Sequence, residues 1–201
     1  MKKLGCLVSS LIAIVVLAVG IFGYTISVNN KLIQKDEDVS TAWAEIQNQY
    51  QRRMDLIPNL VSTVKGYAAH ESDVLSSVTE ARSKVAGQIN VGDEVLNDPD
   101  AFAKYQQAQD QLGSALSRLL SVTESYPDLK ANENFLSLQD ELAGTENRIA
   151  VARKRYNEVV SDYNVSIRKF PASIIAKNKG YEIKQKFQAS AEAQTAPVVS
   201  F

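Results

Sequence analysis

The chain has 201 residues, 22 Lys and Arg against 23 Asp and Glu, and a net charge of −1, so no global positive field draws it to nucleic acid. One cysteine excludes an internal disulfide, and since that cysteine, Cys6, falls in an apolar run expected to lie in a membrane, it cannot join the one histidine, His70, in a metal site or a Cys–His dyad.

The first element is an uncharged apolar run, LGCLVSSLIAIVVLAVGIFGY, from Leu4 to Tyr24. At 1.5 Å per residue such a helix is about 31 Å long, enough to cross a bilayer. A cleaved signal peptide has a shorter apolar stretch, and here Ile21, Phe22, Tyr24, Ile26 and Val28 extend the uncharged character to Lys31. An uncleaved anchor, residues 1–28 with its span at 4–24, fits better. Cys6 stands at the start of the apolar run and not after it, which argues against a lipoprotein signal. Lys2 and Lys3 favour a cytoplasmic N-terminus, which places the remaining chain outside the cytoplasm in a cell (inner) membrane.

Residues 29–187 read as one helical domain. Val39, Trp43, Ile46, Tyr50, Met54, Ile57, Val61 and Val64 step by three and four, the stripe of an amphipathic helix. Pro58 falls within it, which predicts a kink near Asp55 and a freed carbonyl near Met54 that an Arg or Asn would satisfy. Gly66 is the expected helix end. Val74, Val78, Ala81 and Val85 define a second helix fading at Gly87. Gly92 to Asp100 is loop-like, and Asp98-Pro99 is a helix-start signal. Phe102, Tyr105, Gln109, Leu112, Leu116 and Leu119 mark a third helix, which Ser125-Tyr126-Pro127 breaks. Phe135, Leu138, Leu142, Ile149, Ala152, Tyr156, Val159 and Tyr163 form the seam of a fourth, ended by Phe170-Pro171.

Striped helices must bury their stripes together. The expected fold is therefore all-α: a transmembrane helix followed by an antiparallel four-helix bundle. With helices of about 35, 18, 22 and 38 residues, the first and fourth should project as a two-stranded coil, whose seam leaves pairing with a second copy open. Past Pro171, Ile174, Ile175, Tyr181, Ile183 and Phe187 mix with lysines, either as an interfacial segment or as a short helix closing the bundle base. Residues 188–201 are expected to be a flexible tail, small and polar from Gln188 to Ala196; its apolar end, with Val199 and Phe201, packs or hangs free in the preferred reading and adds as a strand to a partner groove in the other. Residues 69–147 carry 14 acidic and 5 basic side chains, and residues 148–186 carry 3 and 10, a contrast expected to be neutralised between neighbouring helices.

No catalytic or cofactor-binding set emerges. His70-Glu71 lacks the second histidine of a zinc-peptidase helix, since position 74 is valine. The nine glycines form no phosphate-cradling loop. The one polar constellation comprises Arg52, Arg53, Asp55, Pro58 and Asn59, with Glu80 and Arg82, and Glu146, Asn147, Arg153, Asn157 and Asn164. Interhelical pairing that sets register is the preferred reading of it, ahead of a ligand- or peptide-binding groove.

Several segments carry a family resemblance. The run from Gln51 to Val61, QRRMDLIPNLV, and Thr63 to Arg82 with Gly66-Tyr67, His70-Glu71 and Glu80-Ala81-Arg82, resemble the signature of LemA family proteins. So do Tyr126 to Ala131, Thr145-Glu146-Asn147, Arg153, Tyr156-Asn157, Tyr163-Asn164, Phe170-Pro171, Gly180-Tyr181, Phe187, Pro197-Val198 and Phe201. The resemblance implies a membrane-anchored bacterial helical bundle and no defined activity, cofactor or metal. Members are encoded near heat-shock-type membrane metalloproteases, so an envelope partner such as a membrane protease is thinkable. The function expected is a non-enzymatic envelope scaffold or adaptor, with a sensing module as the alternative.

Overall fold

A computed structural model describes residues 2–87 and 92–188, with side chains from residue 11 onward. Among these residues there are six α-helices, one 3-10 turn and no strand: α1 (Lys2–Tyr67), α2 (Ser72–Ala86), the turn Asp93–Leu96, α3 (Pro99–Thr123), α4 (Pro127–Lys130), α5 (Glu133–Arg168) and α6 (Ala172–Lys179).

The span and the first bundle helix are one continuous rod. Helix α1 has 66 residues, about 98 Å at 1.5 Å per residue. Its most apolar window has mean hydropathy 2.5 and is wholly exposed, so it is long and apolar enough to cross a membrane. From Leu32 onward one face is buried. Pro58 sits inside this helix without ending it, as the stripe running through it from Val39 to Val64 implies. The proline has no N–H to return to Met54, and the Met54 carbonyl instead accepts a long bond from Arg82 Nε at 3.4 Å. Beyond the proline the buried stripe is Ile57, Leu60 and Val64, with Val61 only half-buried. The helix ends at Tyr67, one residue past Gly66.

Local signals set the other ends. Asp98 accepts from the amides of Asp100 (2.9 Å) and Ala101 (3.1 Å), capping α3. Asn132 accepts from Phe135 N at 3.0 Å, capping α5. The Asp93–Leu96 segment is more than a loop: Val95 and Leu96 are buried.

The core is in two parts. The far part is largely aliphatic, built from Met54, Ile57, Leu60 and Val64 of α1, Val74 to Val85 of α2, Leu112 to Leu119 of α3, Leu129, and Phe135 and Leu142 of α5. The part nearer the apolar run is aromatic: Trp43, Tyr50, Phe102, Tyr105, Tyr156, Tyr163 and Phe187. Trp43 lies 5.2 Å from Tyr105, 5.7 Å from Tyr156 and 6.1 Å from Phe102 by ring centroid. Helix α2 contributes nothing to this part, and with 15 residues spans only about 22 Å. Residues Val95, Leu96, Ala176 and Phe187 cover it instead. The expected bare coil of the first and fourth helices is thus absent, because the chain after Phe170-Pro171 doubles back over it.

That return is short. After a cis Phe170-Pro171 bond, α6 seats Ala176 in the base of the bundle, and Gly180 turns the chain with φ 76°. Residues 181–188 then run without helix alongside α5, forming a strap. Of the expected tail, only Gln188 is described; Val199 and Phe201 lie outside the described residues.

Candidate functional site

Where the two cores meet lies a polar layer. Arg53 of α1 follows Tyr50 of the aromatic core and precedes Met54 of the aliphatic one, and is 2 % exposed. Its Nη1 donates to Glu146 of α5 at 3.1 and 3.4 Å. Its Nη2 donates to the Gln109 backbone carbonyl at 3.4 Å and to Gln109 Oε1. Three helices are therefore joined by one guanidinium. A second arginine completes the layer: Arg153 donates to the Tyr50 hydroxyl at 2.7 Å and to Asp110 at 3.2 Å. The guanidinium carbons of Arg53 and Arg153 stand 5.1 and 5.6 Å from the centre of the Tyr50 ring. Arg53 Nε and Gln109 Nε2 are buried with no partner.

The phenols nearby stay neutral. Burial pushes Tyr50 up despite the opposing pull of Arg153. Burial also raises Tyr105, Tyr156 and Tyr163. An acid whose folded pKa is raised lends stability that is complete below its unfolded value near 10 and is lost as pH climbs towards the folded one. The melting temperature is therefore expected to hold between pH 7 and about 9 and to fall steeply above about 10. Each phenol held neutral adds a slope approaching roughly 1.4 kcal/mol per pH unit. Tyrosinate absorbance and thermal melts on the same samples check it. A flat melting temperature with early tyrosinate absorbance would contradict it.

Below the layer, amide side chains grip the strap. Asn164 Nδ2 donates to the Lys184 carbonyl at 2.9 Å and its Oδ1 accepts from Lys184 N at 3.0 Å. Asn157 treats Phe187 the same way, at 2.9 and 2.9 Å. Gln106 of α3 does so for Gln188, at 2.8 and 3.2 Å. The registers match: seven helical residues rise about 10.5 Å, and three extended residues cover about 10 Å. Hydroxyls of Tyr156 and Tyr163 donate to the Gln185 and Glu182 carbonyls at 3.0 and 3.1 Å. Phe187 closes the strap, 4.9 Å from Phe102 and 5.5 Å from Tyr156, under the Arg153 guanidinium at 4.8 Å.

From the strap's end an open groove of about 1560 Å³ continues between α2, α3 and α5, passing Gly113, Arg118, Glu80, Lys84, Glu146 and Lys154. Its walls mix charges of both signs.

The sequence constellation thus separates into several places. Arg53, Glu146 and Arg153 share the polar layer. Asn157 and Asn164 hold the strap rather than another helix. Arg52 pairs with Glu141 on the surface at 2.7 Å, and Asp55 accepts from Gln51 at 2.7 Å on its own helix. Asn59, Asn147, Glu80 and Pro58 are exposed, Glu80 on the groove wall, and Arg82 serves the Met54 carbonyl. Gln109, Asp110, Tyr50 and Gln106 belong to these networks and were not part of the constellation. Gln109 did announce itself as an amide inside an apolar stripe. Of the ion pairs among the described residues, only Arg153–Asp110 joins the acidic 69–147 stretch to the basic 148–186 stretch. No group of three or more His, Cys, Asp or Glu able to hold a metal occurs among those residues.

A long apolar helix running into an all-helical domain defines a class of membrane-associated helical proteins. The LemA family model matches residues 42–201, and the chain belongs to the LemA family. The match begins inside the bundle part of α1, leaving the apolar run outside it. The chain is 27% identical over 210 residues to Magnetosome protein MamQ 2 of Paramagnetospirillum magneticum, covering 96% of this chain and 76% of the relative. Magnetosome protein MamQ of Magnetospirillum gryphiswaldense matches to the same extent. Protein LemA of Metamycoplasma hominis is 27% identical over 176 residues, 87% of this chain and 76% of that one.

Proposed function

We propose that this protein is a non-enzymatic, single-pass membrane protein whose helical domain is a cell-envelope scaffold or adaptor. The observation that carries this reading is the unbroken α1. A rod with no hinge between apolar run and core transmits position from bilayer to bundle, which suits holding another protein at a set height. In this reading α1, α2, α3 and α5 are the four antiparallel helices of a bundle, the N-terminus is cytoplasmic and the bundle faces the envelope. Contacts form along the open groove between α2, α3 and α5. The partner is an envelope protein, a membrane protease among the candidates, or a second copy of the chain.

A second reading is a peptide- or ligand-sensing module. The strap favours it: Asn157, Asn164 and Gln106 grip backbone rather than side chains, so the seat accepts an extended segment by shape and backbone pattern.

Proximity labelling in the native membrane separates the two. A steady set of labelled proteins, lost when the groove is filled by Ser114→Trp, is the adaptor's result. A thermal shift with a small molecule or peptide and no steady neighbour is the sensor's, and would overturn the adaptor.

A further inference from the structure

The helix registers fix the height of the bundle base above the bilayer. Helices α1 and α5 are antiparallel, with Trp43 beside Tyr156 and Lys35 beside Asp162. Seven residues further down, Val28 of α1 stands level with Lys169 and Phe170 of α5's end. The apolar run reaches Tyr24, four residues and about 6 Å below that level. Headgroups occupy roughly 5–7 Å on each side of the hydrocarbon. If residues 4–24 span the bilayer, the turn at Phe170-Pro171, and α6 that follows it, would fall at headgroup depth.

The chemistry of that layer fits its position. Phe170 is 82% exposed and Ile174 56% exposed, while Ala176 on the opposite side of α6 is buried against the bundle. Around them Lys31, Arg168, Lys169, Lys177 and Lys179 are exposed. No acidic residue occurs before Asp36 or between Tyr163 and Tyr181. The nearest acids are Asp36, paired with Lys184 at 3.4 Å, Asp162, paired with Lys35, and the exposed Glu182 at the edge of the patch. An apolar wedge surrounded mainly by cations is complementary to a negatively charged lipid surface and unlike ordinary mixed protein surface.

We propose that the Phe170-Pro171 turn and α6 form a second membrane contact, inserting Phe170 and Ile174 among headgroups while the lysines bind anionic lipid. The contact turns a single-point attachment into a two-point one, and so sets the tilt of the bundle. It rests on the reading of residues 4–24 as a membrane span.

The test uses the full-length chain in lipid nanodiscs of phosphatidylcholine, with and without phosphatidylglycerol. In a Cys6→Ser background, an environment-sensitive dye is placed on α6 by Asn178→Cys, or at the far end of the bundle, about 60 Å away, by Ser125→Cys. Spin-labelled headgroup lipid is the quencher. The dye on α6 should be blue-shifted and quenched in anionic discs, and the dye at position 125 should not. Each lysine near an anionic surface is worth about fivefold in the docked-to-free ratio. Neutral lipid, or Lys169→Glu with Lys177→Glu, should therefore remove most of the quenching, and Phe170→Ser should remove the blue shift. Equal quenching at 178 and 125, or quenching indifferent to lipid charge, overturns the proposal and leaves the span intact. Failure of the full chain to enter discs overturns both.

Discussion

Phe187→Ala is expected to cost about 3–5 kcal/mol, the range for deleting a buried aromatic ring. The ring is 7% exposed and packs on Trp43, Phe102 and Tyr156. Its loss also removes the cover over Arg153 and the apolar clamp that lets Asn157 and Asn164 outcompete water for the strap backbone. For a domain of this size the melting temperature should drop by about 10 °C. Trypsin should then cut at Lys184 and Lys186 well before the core. Phe170→Ala is the control for the fold, since that ring is 82% exposed and lies outside both parts of the core. A Phe187→Ala protein that melts within about 2 °C of the parent, with the strap still protected, would show that residues 181–188 are ornamental.

The second large effect concerns Arg53. Glu146→Ala leaves a buried guanidinium with Gln109 alone, and should cost about 3 kcal/mol. Arg53→Met keeps the aliphatic stem but strands the Gln109 carbonyl groups, and should cost about 2 kcal/mol. The Glu146 carboxylate is 43% exposed and recovers water when its partner is lost, which makes the arginine the cheaper removal. The double variant should be more stable than the sum of the two by about 1–2 kcal/mol, because no charge is then left buried. Urea melts of the four proteins measure this. Additive losses would deny the coupling. Unchanged stability combined with lost proximity labelling would instead make Arg53 a partner-binding residue.

Both effects concern places where side chains distant in sequence meet, and their legibility differs. Arg53 could be singled out from the sequence, since an arginine inside an apolar stripe demands a partner. Which partner could not, because Glu146 and Gln109 are separated from it by whole helices. The strap was less legible still. Tyr181, Ile183, Gln185 and Phe187 fall on alternate positions, yet with lysines between them they read equally as an interfacial helix. Asn157 and Asn164, seven residues apart on α5, look like register-setting polar positions in a coil. Their true partner is backbone, which leaves no sequence trace.

The family assignment gives no chemistry to lean on, and the chain's relatives are named for different settings, magnetosome proteins and a mycoplasmal LemA. The family match extends over the strap as well as the helices, since it runs from residue 42 through residue 201.

The sequence decided that the chain is helical, where α3 begins, and that an apolar rod leads into the helices. Those are local matters: three-to-four spacing, a capping aspartate before a proline, and 21 uncharged residues. Tertiary structure alone decided that Arg82 serves the carbonyl freed by Pro58, that α2 leaves the aromatic core uncovered, and that residues 181–188 cover it instead. These outcomes depend on which buried surfaces and backbone groups remain unsatisfied after the long helices have paired, a quantity that does not exist until they have done so.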